Sequence, residues 1–156
     1  DRHNLRRTYL LNRVTIMLGG RAAEQLMFED VTTGAGDDLK KATELARRMV
    51  CQWGMSEKLG PVTFRWGDSH PFLGREIAES RDFSDETAHI IDLEIQKIVT
   101  DMEKKARRVL ESNCNRLEQL AEALLEHETL DREEIDAILD PKGEQPGDKQ
   151  EDVTPQ

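Results

Sequence analysis

The strongest constraint on this chain is a seam of apolar side chains in its second half: Ala88, Ile91, Ile95, Ile98, Met102, Ala106 and Val109 recur every three or four positions. That spacing matches an α-helix of 3.6 residues per turn and no other regular structure. A stripe of this length must be covered along its length, so the rest of the chain has to supply helices that lie against it. Ser84 can cap the start, and Asp85 and Glu86 fall in the first turn, where negative charge suits the helix dipole.

Candidate partners are legible on both sides. From Leu5 to Phe28, Leu11, Leu18, Ala22 and Leu26 share one stripe, with Leu10, Val14 and Met17 beside it. Gly19-Gly20 in the middle of this run costs about 1 kcal/mol per glycine relative to alanine, which points to a kink or to close approach of another backbone. Val31-Thr32-Thr33-Gly34-Ala35-Gly36 has loop composition. A second helix is expected from near Asp37 to a glycine stop at Gly54, with Leu39, Ala42, Ala46, Met49, Val50 and Trp53 at helical spacing. Gly60-Pro61 then introduces Val62 to Trp66, the only strand candidate, and Gly67 to Gly74 reads as a loop. After Asn113 a shorter helix carries Leu117, Leu120, Ala121 and Leu124. A last helix starts at Asp131, where Glu134 can complete a capping box and Leu130 can staple onto Ile135, and Asp140-Pro141 ends it.

Short connections between such helices predict an all-α, bundle-like architecture with at most one short strand. The ordered domain is expected over 1–140. Residues 141–156 contain three prolines, two glycines and a single apolar side chain, Val153, and are expected to be a disordered tail.

Composition narrows the function classes. Acidic residues outnumber basic ones 32 to 22, and a net charge of -10 would repel a phosphate backbone, so nucleic acid is not an expected partner. No run approaches the roughly 20 apolar residues that cross a bilayer. Cys51 and Cys114 lack metal or redox spacing and read as free thiols. The chain opens on Asp1 rather than Met, which suggests a piece of a longer polypeptide.

Few residue patterns suggest chemistry. The residues four positions after His3, His70, His89 and His127 are Arg7, Gly74, Leu93 and Asp131, so no two imidazoles share a helix face and no HExxH site is encoded. Phosphate-binding Gly-Lys-Ser/Thr and GxSxG sequences are also missing, which leaves neither a nucleotide site nor a serine nucleophile. The suggestive cluster is Thr32-Thr33-Gly34-Ala35-Gly36-Asp37-Asp38, two carboxylates at a helix start. They could serve simply as first-turn acids, or one could be aimed by the loop at a cation.

These segments together resemble a known family. Gly19-Gly20-Arg21-Ala22-Ala23-Glu24, Thr32 to Thr43, Ala46-Arg47 with Met49-Val50, Gln52 to Pro61, Phe72 to Arg75 and Ser84 to Ala88 are similar, in order and spacing, to FtsH-type ATP-dependent zinc metalloproteases. The region matched corresponds to the C-terminal part of their peptidase domain. The resemblance implies a parent anchored in the cell inner membrane, with this domain facing the cytoplasm and an AAA+ ATPase module preceding it. It further implies a homohexamer whose partners are membrane and cytosolic protein substrates. Zn2+ would be held by two histidines of HExxH and by an aspartate that aligns with Asp38. The motif glutamate would be the general base, and Glu24 could support a histidine. HExxH, the ATP site and the membrane segments all lie outside this sequence, so the resemblance implies no catalytic or cofactor-binding residue here beyond Asp38. The chain alone is expected to be inactive. The alternative is a non-catalytic relative in which the same helices serve oligomerisation or substrate handling.

Overall fold

A computed structural model describes residues 4–66, 69–72, 75–78 and 80–141. The chain divides into two units, Asp1–Ser112 and Asn113–Gln156. The predominantly helical class expected from the apolar periodicity is what forms.

In the first unit, α1 spans Arg7–Phe28, α2 Gly36–Arg47 and α3 Asp85–Glu111. The seam on α3 is the spine: Ile91, Ile95, Ile98 and Ala106 are buried, and α3 packs most extensively on α1. On α1 the buried positions are Leu10, Val14, Leu18 and Ala22, a run of i, i+4 steps that lies along one face of a helix. Val14 and Leu18 cluster with Ala42 of α2, and Met102 and Val99 of α3 pack against them. Polar contacts flank this apolar seam. Lys105 donates to Asn12 (3.0 Å), Arg21 pairs with Glu103 (3.5 Å), and Arg107 reaches Gln25.

The second helix stops near the expected glycine but by an unexpected route. After Arg47 the backbone widens into a π-helical turn over Arg48–Gln52, in which Trp53 N–H donates to the Arg48 carbonyl (3.0 Å). The turn brings three successive residues, Met49, Val50 and Cys51, to complete burial, whereas α-helical neighbours point about 100° apart. Burial pushes the Cys51 thiol up from its ordinary range, with Arg47 opposing and Asp82 adding to the shift. Gly54 then takes φ +58°, and a Cβ there would lie 3.1 Å from Pro61 Cα. Both the left-handed backbone and the close approach of Pro61 require glycine.

Two expectations are corrected. Val62 to Trp66 is not a strand. Its amides are used elsewhere, Phe64 N–H donating to the Cys51 carbonyl (2.8 Å) and Arg65 N–H to Asp82 Oδ1 (2.6 Å), so the segment is pinned to the helical core rather than to a neighbouring strand. Strand pairing occurs instead between a segment inside the Gly67 to Gly74 stretch read as a loop and the residues that follow it. Strands β1 (Ser69–Phe72) and β2 (Arg75–Ala78) pair antiparallel, with Ser69 opposite Ala78 and Phe72 opposite Arg75. The fold thus holds two short strands where at most one was expected. As for Gly19-Gly20, α1 runs unbroken through both, and a Cβ at either would meet nothing within 4 Å. The described residues provide no close backbone approach there.

In the second unit, α4 (Cys114–His127) and α5 (Arg132–Leu139) pack on each other. The Asp131 capping box forms as read from the sequence: Glu134 N–H donates to Asp131 Oδ1 (2.8 Å), and Asp131 N–H donates to Glu134 Oε2 (2.9 Å). The tail expected to be disordered lies, from residue 142 onward, outside the described residues. Among the described residues no helix is long and apolar enough to cross a membrane.

The packing predicts a contrast between two isoleucines. Ile95→Ala, at a buried α3 position, should lower unfolding free energy by about 2–5 kcal/mol. Ile16→Ala, at a position 77% exposed on α1, should change it by under about 0.5 kcal/mol. Urea denaturation of the two variants checks this, and equal losses would refute the assignment of the core.

Candidate functional site

The site is built where α1 hands over to α2. Glu29 ends α1 in the left-handed conformation, φ 52°, its N–H donating to the Gln25 carbonyl. The chain then turns back along the last turns of the helix it has left. This return brings Thr32 to Glu24, whose carboxylate accepts twice: from Thr32 N–H at Oε2 (3.2 Å) and from the Thr32 hydroxyl at Oε1 (3.0 Å). The same hydroxyl oxygen accepts from Gly34 N–H (3.3 Å) and so caps a 3₁₀ turn over Thr33–Ala35. A carboxylate on α1 thereby holds the loop through one threonine side chain, with charge-assisted bonds at the α1 end.

From that turn α2 starts without a break, since Gly36 is both the last cap of the turn and the first residue of the helix. Ala35 is buried, Leu39 packs against the core, and Ala42 and Ala46 are fully buried. These positions, separated by three or four residues, fix the rotation of α2. Asp37 and Asp38 are both exposed on its first turn, Asp38 even though it stands one turn before buried Ala42 on the same face. Adjacent residues there point about 100° apart, so the two carboxylates address different regions of space. Asp37 stands at the rim of a groove that also carries Arg13 and Lys40. Among the described residues the Asp38 carboxylate has no hydrogen-bond or ion-pair partner.

Asp38 is the residue singled out in the sequence as a metal ligand, and among the described residues no second ligand stands beside it. Among the described residues no group of three or more His, Cys, Asp or Glu side chains is arranged to hold a metal ion. His89 is exposed on α3, and His127 is exposed at the end of α4 beside Glu126. The described part of this chain therefore offers one carboxylate, a fitting but incomplete donor set for zinc, whose sites take at least three protein ligands. Glu24, the other acidic residue that the resemblance brings to the site, accepts from Thr32 among the described residues. Sequence inspection missed that clamp, because residues eight positions apart meet only once the loop doubles back.

The clamp yields a test. Thr32→Val removes the hydroxyl that links Glu24 to Gly34 and should cost about 1 kcal/mol, with faster amide exchange at Gly34. Thr33→Val, next to it on the same exposed turn, removes no side-chain hydrogen bond among those described and should leave exchange at Gly34 nearly unchanged. Equal exchange rates in the two variants would refute the clamp.

Comparison with known proteins places the chain among named relatives. The chain is 52% identical over 139 residues to a protein of Nitrosococcus oceani named ATP-dependent zinc metalloprotease FtsH, an alignment covering 89% of this chain and 22% of that protein. It is 50% identical over 139 residues to a protein of the same name from Syntrophotalea carbinolica, with 89% and 22% covered. The corresponding Thermotoga maritima protein is 45% identical over 139 residues, with 89% and 23% covered. The chain thus spans about a fifth of the length of these curated relatives. Residues 1–138 match the profile of peptidase family M41. On that match, with relatives about half identical over most of its length, this chain belongs to peptidase family M41.

Proposed function

We propose that this chain is the C-terminal part of the peptidase domain of an ATP-dependent zinc metalloprotease and that Asp38 is its metal ligand. The observation that carries the reading is Asp38 itself. Its carboxylate is exposed and without a hydrogen-bond or ion-pair partner among the described residues, and it sits three residues beyond a turn, Thr33–Ala35, that Glu24 and Thr32 hold in place. Asp37 is equally exposed, so the choice of Asp38 over its neighbour rests on the family resemblance. An exposed carboxylate that its own chain does not engage is available to ligate a cation.

In this reading each part of the first unit has a task. Asp38 supplies one anionic oxygen to Zn2+. Glu24 and Thr32 restrain the loop so that this oxygen is presented in one place, and Ala35, Leu39 and Ala42 keep α2 from rotating about its axis. The remaining ligands, two histidines of HExxH, and the glutamate that serves as general base come from sequence outside this chain. When bound, zinc supplies Lewis acidity, lowering the pKa of a water and polarising the substrate carbonyl. An ATPase module and an inner-membrane anchor would lie in sequence outside this chain, which covers 22% of the length of its Nitrosococcus oceani relative, and the parent would assemble as a homohexamer. Its domain would face the cytoplasm, and its substrates would be proteins. By itself the chain should neither retain zinc nor cleave peptides, because one carboxylate is an incomplete ligand set.

In the full-length parent, Asp38→Asn should weaken zinc binding and abolish proteolysis while ATP hydrolysis continues. Asp37→Asn should be mild, costing at most about 1 kcal/mol through lost dipole complementarity. The two variants are to be assayed together for bound zinc and for degradation of an unfolded protein. Full zinc content and near-normal proteolysis in Asp38→Asn would overturn the assignment and favour a non-catalytic helical module for oligomerisation or substrate handling.

A further inference from the structure

Beside the Asp37 carboxylate, the surface between α1 and α2 opens into a groove of about 560 Å³. Its apolar lining is Met17 and Leu45, both half-buried. Around them stand Arg13, Lys40, Lys41 and Arg48, all exposed. Two carboxylates, Asp37 and Glu44, share the groove, so cations outnumber anions four to two in a chain whose net charge is -10. None of the four cations lies within ion-pair distance of a carboxylate among the described residues. This is a local reversal of sign on an acidic protein, combined with a concave apolar lining.

Position adds to charge. Asp37 precedes Asp38 directly, and consecutive Cα atoms are about 3.8 Å apart, so one end of the groove lies one residue from the proposed metal ligand. A polypeptide presented to the metal would have this groove within reach of its flanking residues. Low-dielectric walls lined by one sign of charge concentrate ligands of the opposite sign. Met17 and Leu45 offer an apolar side chain somewhere to go between the charged contacts.

We propose that this groove is a docking site for an acidic stretch of the substrate polypeptide, one in which Asp or Glu alternates with apolar side chains. The proposal rests on the reading of the chain as part of a peptidase and specifies the substrate chemistry that flanks the site. Lys40 and Lys41 on α2, Arg48 on the π-helical turn and Arg13 on α1 meet the carboxylates, and the strip made by Met17 and Leu45 takes the apolar residues.

The test uses the full-length protein and two fluorescent peptides, one of alternating Glu and Leu and one with every Glu replaced by Gln. Fluorescence anisotropy reads binding at low and high salt, and a peptidase assay reads kcat and KM separately. The wild type should bind the Glu peptide more tightly than the Gln peptide, with the difference shrinking at high salt. In the double variant K40E/K41E, binding of the Glu peptide should fall about tenfold and its KM rise to match, with kcat and all constants for the Gln peptide little changed. Met17→Ser, which leaves the cations in place, should weaken both peptides. A protein that binds the Glu peptide through Lys40 and Lys41 but cleaves neither peptide would support the groove while refuting the peptidase reading. Equal affinity for the two peptides in the wild type, or unchanged affinity in K40E/K41E, would overturn the proposal. Unchanged peptide affinity with altered sedimentation of K40E/K41E would overturn it too, and would assign the groove to a contact between copies of this chain.

Discussion

Everything in the first unit depends on burying the α3 seam against α1. Ile91, Ile95 and Ile98 on one side, and Leu10, Val14, Leu18 and Ala22 on the other, are among the most completely buried side chains of the chain. With α1 and α3 fixed, α2 has one face to bury, the Ala42 and Ala46 face, and its rotation is set. The first turn of α2 starts ahead of this packed stretch, and Asp37 and Asp38 are exposed there. The site's placement depends on that packing, and the Glu24 carboxylate completes it by tying the connecting loop back to α1.

How much of this is readable in advance depends on the range of the interaction. Helix starts that rest on neighbours in sequence are legible: Ser84 accepts from Thr87 N–H, and the Asp131 and Glu134 pair forms its box. The buried face of α1 is legible only in part: the stripe of Leu11, Leu18, Ala22 and Leu26 shares Leu18 and Ala22 with the buried run of Leu10, Val14, Leu18 and Ala22, while Leu11 and Leu26 are half-buried. The π-helical turn is not legible, because what widens it is the demand that Met49, Val50 and Cys51 all face the core, which no local propensity encodes. Val62 to Trp66 misleads for the opposite reason: its residues favour extended structure, but tertiary contacts with Cys51 and Asp82 take the amides that a strand would need. Of the paired strands, Ser69–Phe72 has proline at its third position and no clear alternation, so that a loop was the natural reading up to Gly74, and Arg75–Ala78 follows directly after it.

The site was legible in a more limited way. Periodicity puts position 38 one turn before Ala42 on the same face of α2, so the exposure of Asp38 follows from its place at the helix start and not from the rotation of the helix. That Asp38 rather than Asp37 faces a metal comes from the family resemblance alone, and the described residues supply neither a second ligand nor a base. This division of labour makes physical sense. A site assembled from distant segments needs each segment to present its group without help from the others, and here that task falls to a helix start whose preceding loop is hydrogen-bonded rather than free.

The central claim is that this preorganised helix start delivers Asp38 to the zinc of the complete protease. Anomalous diffraction at the zinc edge, from crystals of the full-length protein, measures it directly. The account predicts a zinc peak about 2.0–2.2 Å from an Asp38 carboxylate oxygen, with two histidine nitrogens from outside this chain completing the protein ligands. A zinc ion bound elsewhere, with Asp38 left in solvent, would contradict it.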